Sequence, residues 1–292
     1  MTTYRIEHST TYTYDADVTG SYGTFHLRPR DLDWQTCVAH EVIIDPEPVD
    51  LFRHFDMYGN TKTYFHVVKP HTTLKVTAIN VVEVRARDYD PELLNVPWEQ
   101  ARPRLRSDQP DAWLATDFTF ASPMVDVPPE AKAYAEESFT PGRPIAEAAT
   151  ELMHRVFRDF TYKAGSTTVS TRVGELLERR TGVCQDFTHV MVASLRSLGL
   201  AGRYVSGYLA TRPPPGQPRV FGADASHAWV GCWIPQAGWL YLDPTNNRLA
   251  DESHATVAWG RDYADVTPVK GVIFTESKKS QMKVSVDMAP AA

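Results

Sequence analysis

Along residues 1–88, apolar and polar positions tend to alternate one by one. The segments "TTYRIEHSTTYTY", "CVAHEVIID", "TKTYFHVV" and "LKVTAINVVEV" are rich in Thr, Tyr, Val and Ile, with turn residues between them. Alternation of this kind, carried by β-branched and aromatic side chains, predicts strands with one buried face. The Gly-Asn pair in "MYGNTK" suits a hairpin turn. Strands at this spacing predict a small antiparallel sandwich or barrel.

Between residues 89 and 128 the alternation stops and prolines interrupt the chain, as in "DPELLNVPWEQARPRLRSDQP". This stretch reads as a linker that wraps onto a neighbouring surface, because Trp98, Trp113 and Phe118 need burial somewhere. From residue 129 the period lengthens to that of a helix. "PPEAKAYAEESF" opens with proline at a first-turn position. "RPIAEAATELMHRVFRDF" sets Ile145, Ala149, Leu152, Val156 and Phe160 on one stripe. "STRVGELLERR" predicts a short helix capped by Ser170 or Thr171. "CQDFTHVMVASLRSLGL" predicts another, with Phe187, Met191, Leu195 and Leu198 on one face and Gly199 at its end. Three strand-like segments follow: "AGRYVSGYLA", "HAWVGCWI" and "GWLYLDPT". The chain therefore reads as α+β: an N-terminal antiparallel β domain (1–88), a linker (89–128), and a core of helices packed on an antiparallel sheet (129–292).

Composition narrows the function classes. The 292 residues are 42% hydrophobic and 23% charged, with a net charge of −6, ordinary for a soluble globular protein. Basic residues are scattered, which argues against nucleic acid as a partner; even 102–106 holds just three arginines. No apolar run reaches the roughly 18 residues of a membrane span. The N-terminus "MTTYRIEHST" lacks the features of a secretory leader, and the sparse cysteines Cys37, Cys184 and Cys232 suit reduced thiols, so a cytoplasmic protein is expected.

The chemistry concentrates at "RTGVCQDFTHVM". Cys184 falls at the start of a helix, where free backbone N–H groups and the helix dipole favour negative charge and so a nucleophilic thiolate. The competing reading is an inert, buried cysteine. A thiol nucleophile needs a base, and His189 is too far around the helix: five residues rotate it by roughly 140° from Cys184, and Asp186 by roughly 200°. His227 is the better partner. It opens an alternating strand with Trp229, Gly231 and Trp233 on its face, and Asp243 ends the next strand. The "PQAG" turn between them predicts a hairpin that sets His227 beside Asp243, where an acid can orient a histidine and hold it charged. Read singly, these residues are also a backbone-bonded histidine and an Asx-turn aspartate. A metal site built from Cys184, His189, His227 or Cys232 is disfavoured, since Cys232 points to the opposite strand face from His227.

Three blocks, "RRTGVCQDFTHVMVASLRSLGLAGRYVSGYL", "ASHAWVGCWIPQAGWLYLDPTNN" and "HATVAWGRDYADVTPVKGV", resemble the bacterial transglutaminase-like cysteine enzymes of the papain-like, transglutaminase-core superfamily. The resemblance extends to an N-terminal β domain preceding the core. It implies Cys184 as nucleophile, His227 as its histidine and Asp243 as the acid, with attack on a peptide or carboxamide carbonyl and a thioester acyl-enzyme. Water as acceptor makes such an enzyme a protease or amidase, the expected activity; an amine makes it a transglutaminase. A non-catalytic binding module on the same fold is the reading from a different class. Arg261, Asp262, Tyr263 and Asp265 are expected to brace the site. No cofactor or metal is expected, since nothing resembles the acidic loop a calcium site needs. The expected partner is a peptide or small amide substrate, with neither nucleic acid nor membrane. Tyr162 is a weak candidate for a second oxyanion donor and reads more simply as a core tyrosine; Trp229 and Trp233 read as core. The proline-rich segment 211–226 is expected to form a loop beside His227.

Overall fold

The computed structural model describes residues 1–104, 112–211 and 226–291; the loop expected at 211–226 lies almost wholly outside them. The N-terminal region is a single seven-stranded antiparallel sheet organised on one long strand, β1 (Thr2–Phe25). With β2 (Gln35–Asp45), β3 (Asp50–Phe55), β4 (Thr61–Val67) and β5 (His71–Val84), it runs in the order β2-β5-β1-β4-β3. The alternation read from the sequence is realised in β1, where Tyr4, Ile6, His8 and Thr10 are buried and their neighbours are not. β1 shifts register between Thr13 and Val18, so its first half pairs with β5 and its second half with β4.

The described residues between 89 and 128 form short pieces: α1 (Pro91–Leu94), α2 (Ala112–Thr116), and 3₁₀ turns at Trp98–Ala101 and Asp117–Thr119. Trp98 and Phe118 are buried, but Trp113 is 64% exposed. It follows Ala112 on α2, and it is Ala112 and Ala115 that face inward.

The core helices are α3 (Pro129–Glu136), α4 (Ile145–Asp159), α5 (Val173–Arg179) and α6 (Cys184–Ser197), with a two-residue parallel pair between β6 (Thr161–Tyr162) and β7 (Thr181–Gly182). The α4 stripe of Ile145, Ala149, Leu152 and Val156 is buried as read. α5 lacks the Ser170 or Thr171 cap: Arg172 stands at the N-cap without a side-chain bond, and the Thr171 hydroxyl instead accepts from the Thr168 N–H at 2.9 Å. α6 is buried nearly all round, not along one face, because helices pack on it from one side and the core sheet from the other. That sheet comprises β8 (Gly202–Leu209), β9 (Ser226–Ile234), β10 (Gly238–Asp243), β11 (Arg248–Leu249) and β12 (His254–Gly260), in the order β11-β10-β9-β8-β12, all antiparallel.

The last two strands correct the expected core boundary at 292. β13 (Val269–Thr275) and β14 (Ser280–Pro290) return to the N-terminal sheet and pair with the two halves of β1. The two regions also share a core. Tyr4, Ile6, Val82, Val84, Val286 and Met288 pack against Tyr204, Tyr208, Ala228, Ala255 and Val257, with Cys184 at the margin of this cluster. The β region is thus fastened beside the thiol at both ends of the chain. Among the described residues no helix is long and apolar enough to cross a membrane.

Candidate active site

The chain reaches Cys184 through Val183, an extended N-cap (φ −120°, ψ −176°). Asp186, one turn into α6, folds back so that its Oδ2 accepts the Val183 N–H at 2.8 Å and the Thr167 hydroxyl at 2.6 Å. This carboxylate fixes the backbone leading to the thiol. Glycine is required just before it: a Cβ on Gly182 would sit 2.6 Å from both Cβ and Oδ2 of Asp186. Burial pushes the Asp186 carboxyl up against these stabilising bonds.

His189 also has a supporting place. It is buried, its Nε2 accepts the Tyr263 N–H at 3.3 Å, and its ring lies 5.2 Å from that of Tyr204. Burial lowers it to about 4, so it is neutral at pH 7. The following segment is tied down in turn. Arg261 grips Asp265 through Nε and Nη2 at 3.0 and 3.1 Å, and buried Asp262 accepts the N–H groups of Met124 and Ala264. Tyr263, held between them, packs beside Cys184.

Half-buried Cys184, at the first turn of α6, acts on the His227 imidazole at the start of β9 and helps hold it charged. In the β9–β10 hairpin Leu242 faces Val230, so Asp243 faces Trp229 and lies diagonally from His227 on the same sheet face. His227 Nε2 donates to Asp243 Oδ2 at 2.8 Å. The structure therefore brings together the three residues singled out in the sequence, and leaves Asp186 and His189 facing elsewhere. Cys232 is separate: it lies in the helix-side core, where burial pushes its thiol up to about 12.

Asp243 is fully buried and surrounded by donors. Oδ1 accepts the N–H groups of Thr245 (3.0 Å) and Asn246 (3.2 Å). Oδ2 accepts His227, the Asn246 amide at 2.7 Å and His254 Nε2 at 3.1 Å. Burial opposes its charge, but these bonds outweigh it and hold the carboxyl well below the usual range. Burial likewise opposes a charged His227, and the bonds to Asp243 and Cys184 overcome it, raising His227 to about 10.

His254 and Asn246 received no role in the sequence reading. His254 heads β12, and its Nδ1 lies 3.1 Å from the Asp251 backbone nitrogen. The same Nδ1 lies 3.1 Å from Asp251 Oδ1, so the ring bridges two carboxylates, with its Nε2 on Asp243 Oδ2. β8 runs between the two histidine strands, with Gly207 opposite His227 and Leu209 opposite His254. Trp229 fills the space beneath, its ring 6.0 Å from His227 and 5.2 Å from His254. Gly207 makes this possible, since a Cβ there would lie 2.5 Å from the Trp229 ring. Trp229 and Trp233 are buried, as read; Tyr162 is not a core residue but 57% exposed, at the thiol's rim.

Ligand atoms of His227, Asp243 and His254 lie within 4.8 Å of one another, a set of the residue types zinc accepts. In this chain the approaches to Asp243 are hydrogen bonds, and an ion at the ~2.0 Å of a zinc–ligand bond would have to displace both bridging protons.

Residues 4–83 match the bacterial transglutaminase-like N-terminal region, and residues 132–244 match the transglutaminase-like superfamily. The chain belongs to the transglutaminase-like superfamily. An uncharacterized Mycobacterium tuberculosis protein, Rv2569c, is 47% identical over 98% of this chain and 92% of its own length. A crystal structure of a candidate cysteine protease from Cytophaga hutchinsonii shares the fold at a TM-score of 0.71, with 18% identity over 99% of this chain and 93% of that one. A protein-glutamine gamma-glutamyltransferase of Pseudomonas aeruginosa is 31% identical over 122 residues, 40% of this chain and 18% of that protein. Both segments of the superfamily architecture are present, and the site described above spans the second and extends past it to His254.

Proposed function

We propose that this transglutaminase-like chain is a thiol enzyme that cleaves amide bonds in peptides or small carboxamides, with Cys184, His227 and Asp243 as its catalytic triad. The observation that carries this reading is the 2.8 Å bond from His227 to buried Asp243, with Cys184 at the head of α6 acting on the same imidazole: a nucleophile, a base and an orienting acid. Asp243 occupies Nε2 of His227 and fixes the tautomer, which leaves Nδ1 to exchange a proton with the thiol. The Cys184 thiolate attacks the carbonyl carbon, and the developing oxyanion faces the unpaired N–H groups of the first turn of α6. The tetrahedral adduct collapses as the C–N bond breaks, and the imidazolium of His227 gives its proton to the departing amine. The product is a thioester on Cys184. Water, deprotonated by His227, then releases the acid and restores the thiol.

An amine can replace water in the last step, giving acyl transfer. The similarity to the Pseudomonas glutamyltransferase favours keeping this second reading. A glutamine peptide incubated with and without a primary amine separates the two. Hydrolysis releases ammonia at a rate the amine leaves unchanged and forms no conjugate; amine-dependent conjugate formation makes the enzyme a transferase. Product formation that survives Cys184→Ala contradicts both.

A further inference from the structure

A cavity of about 720 Å³ opens on the face of the core sheet opposite α6, the face that also carries His227 and Asp243, and among the described residues neither of these nor Cys184 lines it. On β8 it is Arg203 that lines it, whereas its neighbour Tyr204 points to the opposite face and joins the cluster beside the thiol. The walls are aromatic: Trp34, Trp239, Trp259 and Tyr241. The floor is cationic. The Arg203 guanidinium lies 4.0 Å from the centre of Trp239 and 3.7 Å from that of Trp259. On the other side of Trp259, Arg30 stacks at 3.6 Å, and Arg87 stacks on Trp34 at 3.9 Å.

Three aspartates, Asp31, Asp33 and Asp117, line the same cavity and Asp56 acts on Arg30, but among the described residues no carboxylate accepts a hydrogen bond from Arg203, Arg30 or Arg87. Arg203 is 4% exposed, and among the described residues its hydrogen-bond partner is the Tyr241 hydroxyl, not a carboxylate. Among the described residues its Nε has no hydrogen-bond partner, and the Nε of Arg30 has none either. The nearby carboxylates are committed elsewhere or exposed. Asp31 pairs with Arg28 at 2.8 Å, Asp117 accepts the Tyr58 hydroxyl, and Asp56 is engaged by Asn60. Asp33 stands exposed at the mouth. A buried cation without a counter-ion is costly, and ring faces compensate just part of the lost hydration. Burial accordingly depresses both Arg203 and Arg30 to about 10.

We propose that this cavity is a second binding site, separate from the thiol, for an organic carboxylate bearing a flat or apolar group. The anion would take the unfilled donors of Arg203 together with the Arg87 guanidinium, and the ring or alkyl part would lie against Trp34 and Trp239. The cavity volume falls within the range of small-molecule sites, roughly 300–1,000 Å³. A free carboxylic acid and the C-terminal carboxylate of a peptide share this chemistry.

Titration with 3-phenylpropionate, followed by quenching of tryptophan fluorescence, tests the site. Neutral 3-phenylpropionamide is the control. A short phenylalanine-ended peptide, as free acid and as C-terminal amide, distinguishes the two sources. Saturable binding of a carboxylate, with its amide at least tenfold weaker, is expected. Arg203→Met should weaken it by tenfold or more, and Arg87→Gln, nearer the surface, should weaken it in the same direction if Arg203→Met fails to fold. Binding by the small acid and not the peptide assigns a metabolite-sized ligand; binding by the peptide acid assigns a chain end. Equal affinity for acid and amide, no saturation by either acid, or wild-type affinity in Arg87→Gln overturns the proposal. Because the readout does not involve Cys184, it stands or falls independently of the triad.

Discussion

His254 donates to Asp243 Oδ2 at 3.1 Å, the same oxygen that holds His227 at 2.8 Å. The acid of the triad is therefore shared between two histidines, one facing the thiol and one locked against Asp251. His254→Phe removes a hydrogen bond to a buried carboxylate, an interaction worth about 1.5–3 kcal/mol. The expected result is a Cys184 alkylation rate at neutral pH lowered roughly tenfold, with the pH profile of that rate shifted because Asp243 holds His227 less firmly. Wild-type rate and profile in a folded His254→Phe protein would show that His254 has no positioning role.

Gly182 is a steric prediction. A Cβ there would approach Asp186 to 2.6 Å, so Gly182→Ala must push aside the carboxylate that fixes Val183. A loss of about 1–3 kcal/mol in urea unfolding is expected, together with slower labelling of Cys184. Unchanged stability would mean that the turn before α6 has room the structure does not show.

The pH dependence of stability follows from His227. Its folded-state value of about 10 lies above the ordinary 6.5, so the folded state holds this proton more tightly than the unfolded chain. That contribution is complete below about pH 6.5 and is lost as pH rises through about 10. Asp243 bonds the ring, the Cys184 thiol adds to the charge-stabilising field on it, and His254 faces it across Asp243. Wild-type stability should therefore fall more steeply than that of His227→Gln between pH 7 and 10. Parallel pH curves for the two proteins would contradict a charged His227.

Asp243 Oδ2 already accepts three donors, from His227, Asn246 and His254. That saturation predicts a thiol site independent of metal. Dialysis against EDTA should leave the rate of Cys184 alkylation within a factor of about two; a larger loss, restored by zinc, would assign the two histidines and Asp243 to an ion.

The parts of this site that were legible in the sequence are local. Cys184 at a helix start, the β9–β10 hairpin and the α4 stripe each depend on residues close together in the chain. His254 was hidden because its approach to Asp243 requires β12 to pair with β8, more than forty residues back, and no short-range pattern encodes that choice. The return of β13 and β14 to β1 was hidden for the same reason, because it joins strands from opposite ends of the chain. Trp113 and Tyr162 misled in the opposite sense. An aromatic side chain suggests burial, but on short segments the neighbouring residue decides which side faces inward.

Trapping the acyl-enzyme tests the central claim most directly. The protein is mixed with the activated ester p-nitrophenyl acetate and the adduct is mapped by peptide mass spectrometry. One acetyl group per chain should appear on Cys184, be released by hydroxylamine as a thioester is, and be lost in Cys184→Ala. It should also form at least tenfold more slowly in His227→Gln, as expected when a general base is removed. Acetylation that spares Cys184, or that proceeds at the wild-type rate without His227, would contradict the account.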